Sequence, residues 1–268
     1  MKQRISAGLL ALAAAGVWAQ DWPAASQALL KQVQAQPGYA QVAALHPSYR
    51  PTSDGRSFLL VWTPNADTPP AKWIVSLPGT GGYATRDLAV WYPHLQGRDV
   101  GLVVVQWWLG AGDTTRDYYT PFDIYREVDR LLNELKVPKN SALLHGFSRG
   151  AANMYAVAAL DRSKGRQYFS TFVASSGSAS LDYPPTQLVT RGEFGPAPYA
   201  GTQWVTACGD RDPNPGRDGC PGMRRTAEWI QARGGNVVLT IEDKTQGHGA
   251  LQLNPANATQ LLDWYLRP

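Results

Sequence analysis

Cysteine is nearly absent: the 268 residues contain two, Cys208 and Cys220. They have no C-x-x-C spacing and no histidine beside them, which argues against a metal site or a redox pair. Charge of one sign is equally scarce. Basic residues are scattered apart from Arg224-Arg225, a solvated helix face, and the formal net charge is only +4, so no nucleic-acid partner is expected. No apolar run approaches the ~20 residues needed to cross ~30 Å of hydrocarbon, so no stable membrane anchor is expected. Nothing repeats internally, and no segment implies a protein partner.

What is present is an ordinary globular composition, 44% hydrophobic and 17% charged, enough for one large core. The N-terminus differs from the rest. Lys2 and Arg4 precede an apolar stretch over 5–17, and Val17-Trp18-Ala19 puts small or β-branched residues where a signal peptidase reads. Residues 1–19 are therefore expected to be a cleaved secretory signal and 20–268 a single domain. Removing Lys2 and Arg4 lowers the formal charge by two. Export, secreted or periplasmic, makes a Cys208–Cys220 disulfide the expected state, a staple on one loop worth about 3 kcal/mol.

Apolar, β-branched runs over 57–62, 72–77, 101–107, 141–146, 168–174, 203–207 and 236–241 read as strands. Several are continuously apolar, as a sheet covered on both faces requires. Helical segments alternate with them. Thr120-Pro121-Phe122-Asp123 reads as an N-cap, a first-turn proline and a capping-box acid, followed by Ile124, Val128, Leu131, Leu132 and Leu135 at helical spacing. A second helix is expected over 221–233, stopping at Gly234-Gly235, and a third opens at Asn254-Pro255. The alternation predicts an α/β class with a mostly parallel central sheet and helices on both faces. The irregular stretch over 175–201, rich in Pro, Gly and Tyr, suits a loop or short lid and not a separate cap domain.

Gly146-Phe147-Ser148-Arg149-Gly150 lies between the 141–146 strand and a helix opening with Ala151, Ala152, Met154 and Tyr155. This is G-x-S-x-G in strand-turn-helix context, where a sharp turn lifts the serine above the sheet and the flanking glycines relieve crowding. A serine hydroxyl needs a base within hydrogen-bond reach. His46 belongs to an N-terminal loop, His94 to a surface helix or its edge, and His145 to the nucleophile's own strand. His248, in Gly247-His248-Gly249 after the last strand, has both the chain order and the rim position required. An acid should orient the imidazole. Asp212 is the first choice, on the loop after the 203–207 strand, with Asp210 and Asp182 as rivals. An oxyanion needs two N–H donors. The backbone of Arg149 is one, and the Pro78-Gly79-Thr80-Gly81-Gly82 loop supplies the other from Thr80, or from Gly81. No lysine stands in the phosphate-loop register after these glycines. Tyr83 after the oxyanion loop and Trp107-Trp108, which lead into Tyr118-Tyr119, are candidate substrate-binding aromatics, with Tyr183 and Tyr199 in the irregular stretch, although strand-end tryptophans equally suit a core.

These motifs together resemble the α/β-hydrolase superfamily over nearly all of 20–268: residues 78–82 as the oxyanion loop, Gly-Phe-Ser-Arg-Gly as the nucleophile elbow, Gly209 to Asp212 as the acid turn and His248 as the terminal histidine. Within it the signal, the absence of a large cap and the cysteine pair around the acid turn look most like secreted esterases of the polyhydroxyalkanoate-depolymerase and feruloyl-esterase kind. The chain departs from lipases in having Pro78-Gly79 instead of His-Gly. The resemblance implies a cofactor-free, metal-free serine hydrolase acting on a small-molecule or polymeric ester through Ser148, His248 and Asp212. A peptidase or amidase with the same residues, or a noncatalytic binding protein of the same fold, are the competing expectations.

Overall fold

A computed structural model describes residues 22–163 and 165–267; the expected signal over 1–19 lies outside them. Eight strands form one sheet: β1 (Ser48–Pro51), β2 (Phe58–Trp62), β3 (Lys72–Leu77), β4 (Val100–Val105), β5 (Ala142–Phe147), β6 (Phe169–Ser175), β7 (Gln203–Gly209) and β8 (Asn236–Asp243). Their spatial order is β1-β2-β4-β3-β5-β6-β7-β8. Only β1 with β2 and β2 with β4 pair antiparallel; every pairing from β4 to β8 is parallel. All seven expected strands form, with no end moved by more than two residues. β1 was not expected, because Ser-Tyr-Arg-Pro has no apolar alternation and owes its extended form to pairing with β2.

Nine helices pack around the sheet among the described residues: α1 (Ala24–Gln34), α2 (Tyr39–Ala43), α3 (Ala84–Leu95), α4 (Pro121–Glu134), α5 (Arg149–Ser163), α6 (Pro184–Thr190), α7 (Cys220–Gln231), α8 (Ala250–Leu253) and α9 (Pro255–Tyr265). Side chains alternate across a strand, so β3 and β4 feed two cores. Trp73, Val75, Leu77, Val103 and Val105 meet α4, α5 and α7 on one face. Ile74, Leu102 and Val104 meet α1, α3 and α9 on the other. Every residue of β2 and β4 is buried, which explains their unbroken apolar runs. This is the α/β-hydrolase fold, with no cap domain among the described residues.

Local signals hold where capping chemistry sets them. Thr120 Oγ1 accepts from the Asp123 N–H at 3.2 Å while the Asp123 carboxylate accepts from the Thr120 N–H, with Pro121 in the first turn of α4. The 175–201 stretch is less irregular than expected. It contains α6, whose Pro184 and Pro185 occupy the first turn, where proline's missing N–H costs nothing. Cys208 at the end of β7 and Cys220 at the start of α7 form a disulfide with Cα atoms 5.1 Å apart. It closes the loop carrying Asp210, Asp212 and Asp218. No helix among the described residues is long and apolar enough to cross a membrane.

Candidate active site

Parallel strands end on the same rim, so the loops after β3, β5, β7 and β8 converge there. Ser148 forms the turn between β5 and α5 with φ of 54°, the left-handed region that costs a residue with a side chain of order 1–3 kcal/mol. The turn is held by Ser148 N–H donating to Ser175 O at 2.9 Å and by Ala152 N–H donating to Ser148 O at 3.2 Å. The flanking glycines are sterically required. A Cβ on Gly146 would lie 2.6 Å from Ala151 Cα, and one on Gly150 only 2.1 Å from Leu77 O.

His248 follows β8. Its Nδ1 lies 2.7 Å from Asp212 Oδ2, and because a carboxylate only accepts, Nδ1 carries a proton; in the neutral tautomer this leaves the Nε2 lone pair free. Asp212 is buried, and its Oδ1 accepts the Asn214 N–H at 2.8 Å. Three backbone features clamp this pair. Arg211 N–H donates to Gln246 O at 3.0 Å, Asp210 N–H donates to Asp243 O at 2.8 Å, and the missing side chain of Gly209 lets Gln246 O approach to where a Cβ would be 2.3 Å away. The rivals do not reach the imidazole. Asp210 is exposed, and exposed Asp182 accepts a hydrogen bond from Ser180 Oγ.

A cavity of about 450 Å³ is lined by Ser148, His248, Thr80, Tyr83, Phe147, Val90 and Leu253, among others. A second, of about 420 Å³ and richer in polar groups, reaches Ser148 and Thr80 from the side of Arg149, Tyr183 and Arg217. Among the described residues neither Ser148 Oγ nor His248 Nε2 is engaged in a hydrogen bond. The Thr80 and Arg149 N–H groups are likewise free of intramolecular acceptors, whereas the Gly81 N–H donates to Tyr118 Oη at 3.1 Å.

The expected aromatics divide. Tyr83 lines the first cavity. Trp107 and Trp108 line neither described cavity: Trp107 is buried and donates Nε1–H to Pro78 O at 2.9 Å, while Trp108 packs its ring edge-on to Tyr83 at 5.2 Å. Trp107 thus braces the loop after β3, while Trp108 stays partly exposed and donates its Nε1–H to Gly112 O at 3.0 Å.

Several supporting residues carried no signal in the sequence. Gln106, fully buried, receives the Ala84 N–H at 2.8 Å and donates to Trp108 O at 2.7 Å. The Arg149 guanidinium lies 4.1 Å from the Tyr118 ring centre and pairs with Asp113. A Cβ on Gly177 would lie 2.1 Å from Ser148 O. Asp218 comes close enough that one atom each of Asp212, Asp218 and His248 falls within 4.8 Å of the others. Both carboxylates are already engaged, Asp212 as above and Asp218 by Arg217 Nε and Nη2 at 2.9 and 2.6 Å, which suits a held imidazole better than a cation site.

Asp243 was also missed. Its carboxylate accepts from Asn254 Nδ2, Asn257 Nδ2, Thr245 N–H, Thr245 Oγ1 and Gln246 N–H at 2.6 to 3.1 Å. The Asn254 contact foremost, aided by the others, holds its pKa well below the ordinary carboxylate range against the opposing effect of burial. The folded state thus binds this proton more weakly than the unfolded chain, and the stabilisation is present above the usual carboxylate pKa and lost as pH falls. Asp243→Asn is expected to lower the urea midpoint at pH 7, with the gap to wild type closing below about pH 4. A gap that persists unchanged to pH 2 to 3 would contradict this.

No protein-family model matches the chain, and no curated protein matches it in sequence. Solved structures do match. A hyperthermophilic esterase from the archaeon Pyrobaculum calidifontis superposes with a TM-score of 0.61 at 14% identity, covering 90% of this chain and 89% of its own. A fungal esterase from Rhizomucor miehei gives 0.59 at 16% identity, covering 88% of each chain. A thermostable carboxylesterase cloned from a metagenomic library gives 0.57 at 16% identity, covering 91% of this chain and 99% of its own. At these identities the likeness is one of fold.

Proposed function

We propose that the protein is a serine hydrolase that cleaves carboxylic esters through an acyl-enzyme. The observation that carries this is the left-handed Ser148 turn and the 2.7 Å His248–Asp212 pair facing one cavity. Ser148 Oγ attacks the ester carbonyl as its proton passes to His248 Nε2, and Asp212 stabilises the imidazolium that forms. The developing oxyanion is received by the N–H groups of Thr80 and Arg149. Collapse expels the alcohol with the proton from His248. A water, deprotonated by the same nitrogen, then releases the acid and restores Ser148. The neighbours are named as esterases, which favours an ester over an amide. No cofactor enters these steps.

The basic and apolar N-terminal segment and the disulfide support export, since such bonds persist in oxidising compartments. The N-terminal segment, the absence of a large cap among the described residues and the disulfide around the acid turn favour the secreted polyhydroxyalkanoate-depolymerase and feruloyl-esterase kind. A fluorophosphonate should modify one peptide, that of Ser148, and chromogenic esters should turn over faster than matched peptide amides. Faster amide cleavage would make it a peptidase or amidase. Absent labelling and turnover would leave a binding protein.

A further inference from the structure

Helix α3 carries a carboxyl group that the steps above do not use. Asp87, in its first turn, is only 8% exposed and lines the first cavity together with Ser148 and His248. Its Oδ2 is buried without a hydrogen-bond partner. One turn along the same helix face, Trp91 Nε1 is a buried donor in the same condition. Native proteins leave few such atoms unsatisfied, and those they leave call for an explanation.

The groups behind Asp87 are ordered. Gln252 Nε2 lies 3.2 Å from His145 Nε2, and His145 Nδ1 lies 2.8 Å from Ser76 Oγ. Burial holds the His145 pKa down to about 3, so the ring is neutral with one N–H. With the Gln252 amide donating to Nε2, that proton sits on Nδ1 and goes to Ser76 Oγ, which frees the serine proton for the Asp87 side. Burial pushes Asp87 up to about 6, with Ser76 opposing. At neutral pH it is mainly a carboxylate, an acceptor with capacity left over.

We propose that Asp87 is the recognition point for a hydroxyl group on the part of the ester that enters this cavity. The role rests on the esterase function above. Two observations select a neutral hydroxyl. Exposed Arg86 lines the same cavity and disfavours an ammonium, while Asp87 itself disfavours a carboxylate. A hydroxyl can donate to the spare capacity of the Asp87 carboxylate without bringing a charge into the cavity. Val90 and Leu253 give the rest of the group an apolar surface.

The test compares p-nitrophenyl esters of hydroxyalkanoic and plain alkanoic acids of equal length, and acetates of diols against those of simple alcohols. Wild type should favour the hydroxylated member of one series roughly 10- to 100-fold in kcat/KM, as loss of one hydrogen bond to a charged group implies. That ratio should fall to near one in Asp87→Leu and stay intermediate in Asp87→Asn, with folding checked by circular dichroism. No discrimination by wild type in either series, or a ratio that survives in folded Asp87→Leu, overturns the assignment. An enzyme that takes up fluorophosphonate and cleaves plain esters yet ignores the hydroxyl removes this role alone. An unlabelled protein without turnover removes the esterase function, and this role with it.

Discussion

Ser148→Ala is expected to lower kcat for any ester by about 10⁴-fold or more, because the residual rate then comes only from the oxyanion donors and substrate binding. Loss of a nucleophile and loss of the fold are distinguishable here. Alanine at φ 54° pays the same backbone cost as serine, and the hydroxyl makes no hydrogen bond that folding would miss. Stability should therefore stay within about 0.5 kcal/mol of wild type, and fluorophosphonate labelling should vanish. A variant that keeps more than about a tenth of wild-type kcat would move the nucleophile elsewhere.

Asp212→Asn should cost nearly as much, about 10⁴-fold in kcat. An asparagine amide can present an N–H to His248 Nδ1, which drives the ring proton onto Nε2, and a protonated Nε2 cannot take a proton from Ser148. Asp210→Asn changes an exposed side chain with no contact to the imidazole, and its kcat should remain within about threefold of wild type. The three acids on this loop make the comparison sharp. If Asp210→Asn or Asp218→Asn had the larger effect, the charge that orients the histidine would not be that of Asp212.

The elbow was legible in the sequence because its causes are local. A strand that runs straight into a helix leaves no room for side chains two residues before and after the turn, and Gly146 and Gly150 record that crowding. The buried strands were legible for a similar reason, since burial on both faces demands unbroken apolar residues. The α4 cap is chemistry between Thr120 and Asp123. β1 and α6 were not legible: one is extended because β2 offers it partners, the other helical because α5 offers it a surface. The burial of Trp107 and the packing of Trp108 on Tyr83 likewise depend on the loop after β3, which no spacing along the chain records.

The amino-acid sequence by itself determined which residue is lifted above the sheet, which histidine follows on the correct rim, and that the acid lies in a short list. Sterics, capping and burial act between near neighbours, so their marks are written in adjacent residues. Tertiary structure decided the rest. Asp212 meets His248 because Gly209 and Arg211 bring two loops into backbone contact. The Gly81 N–H is taken by Tyr118, on a loop more than thirty residues away. Asp87 looks like an ordinary first-turn acid until the packing of α3 over β2 and β4 buries it beside the cavity. Each outcome turns on hydrogen bonds, effective over about 3 Å, between groups that only the closed sheet and its helices bring together.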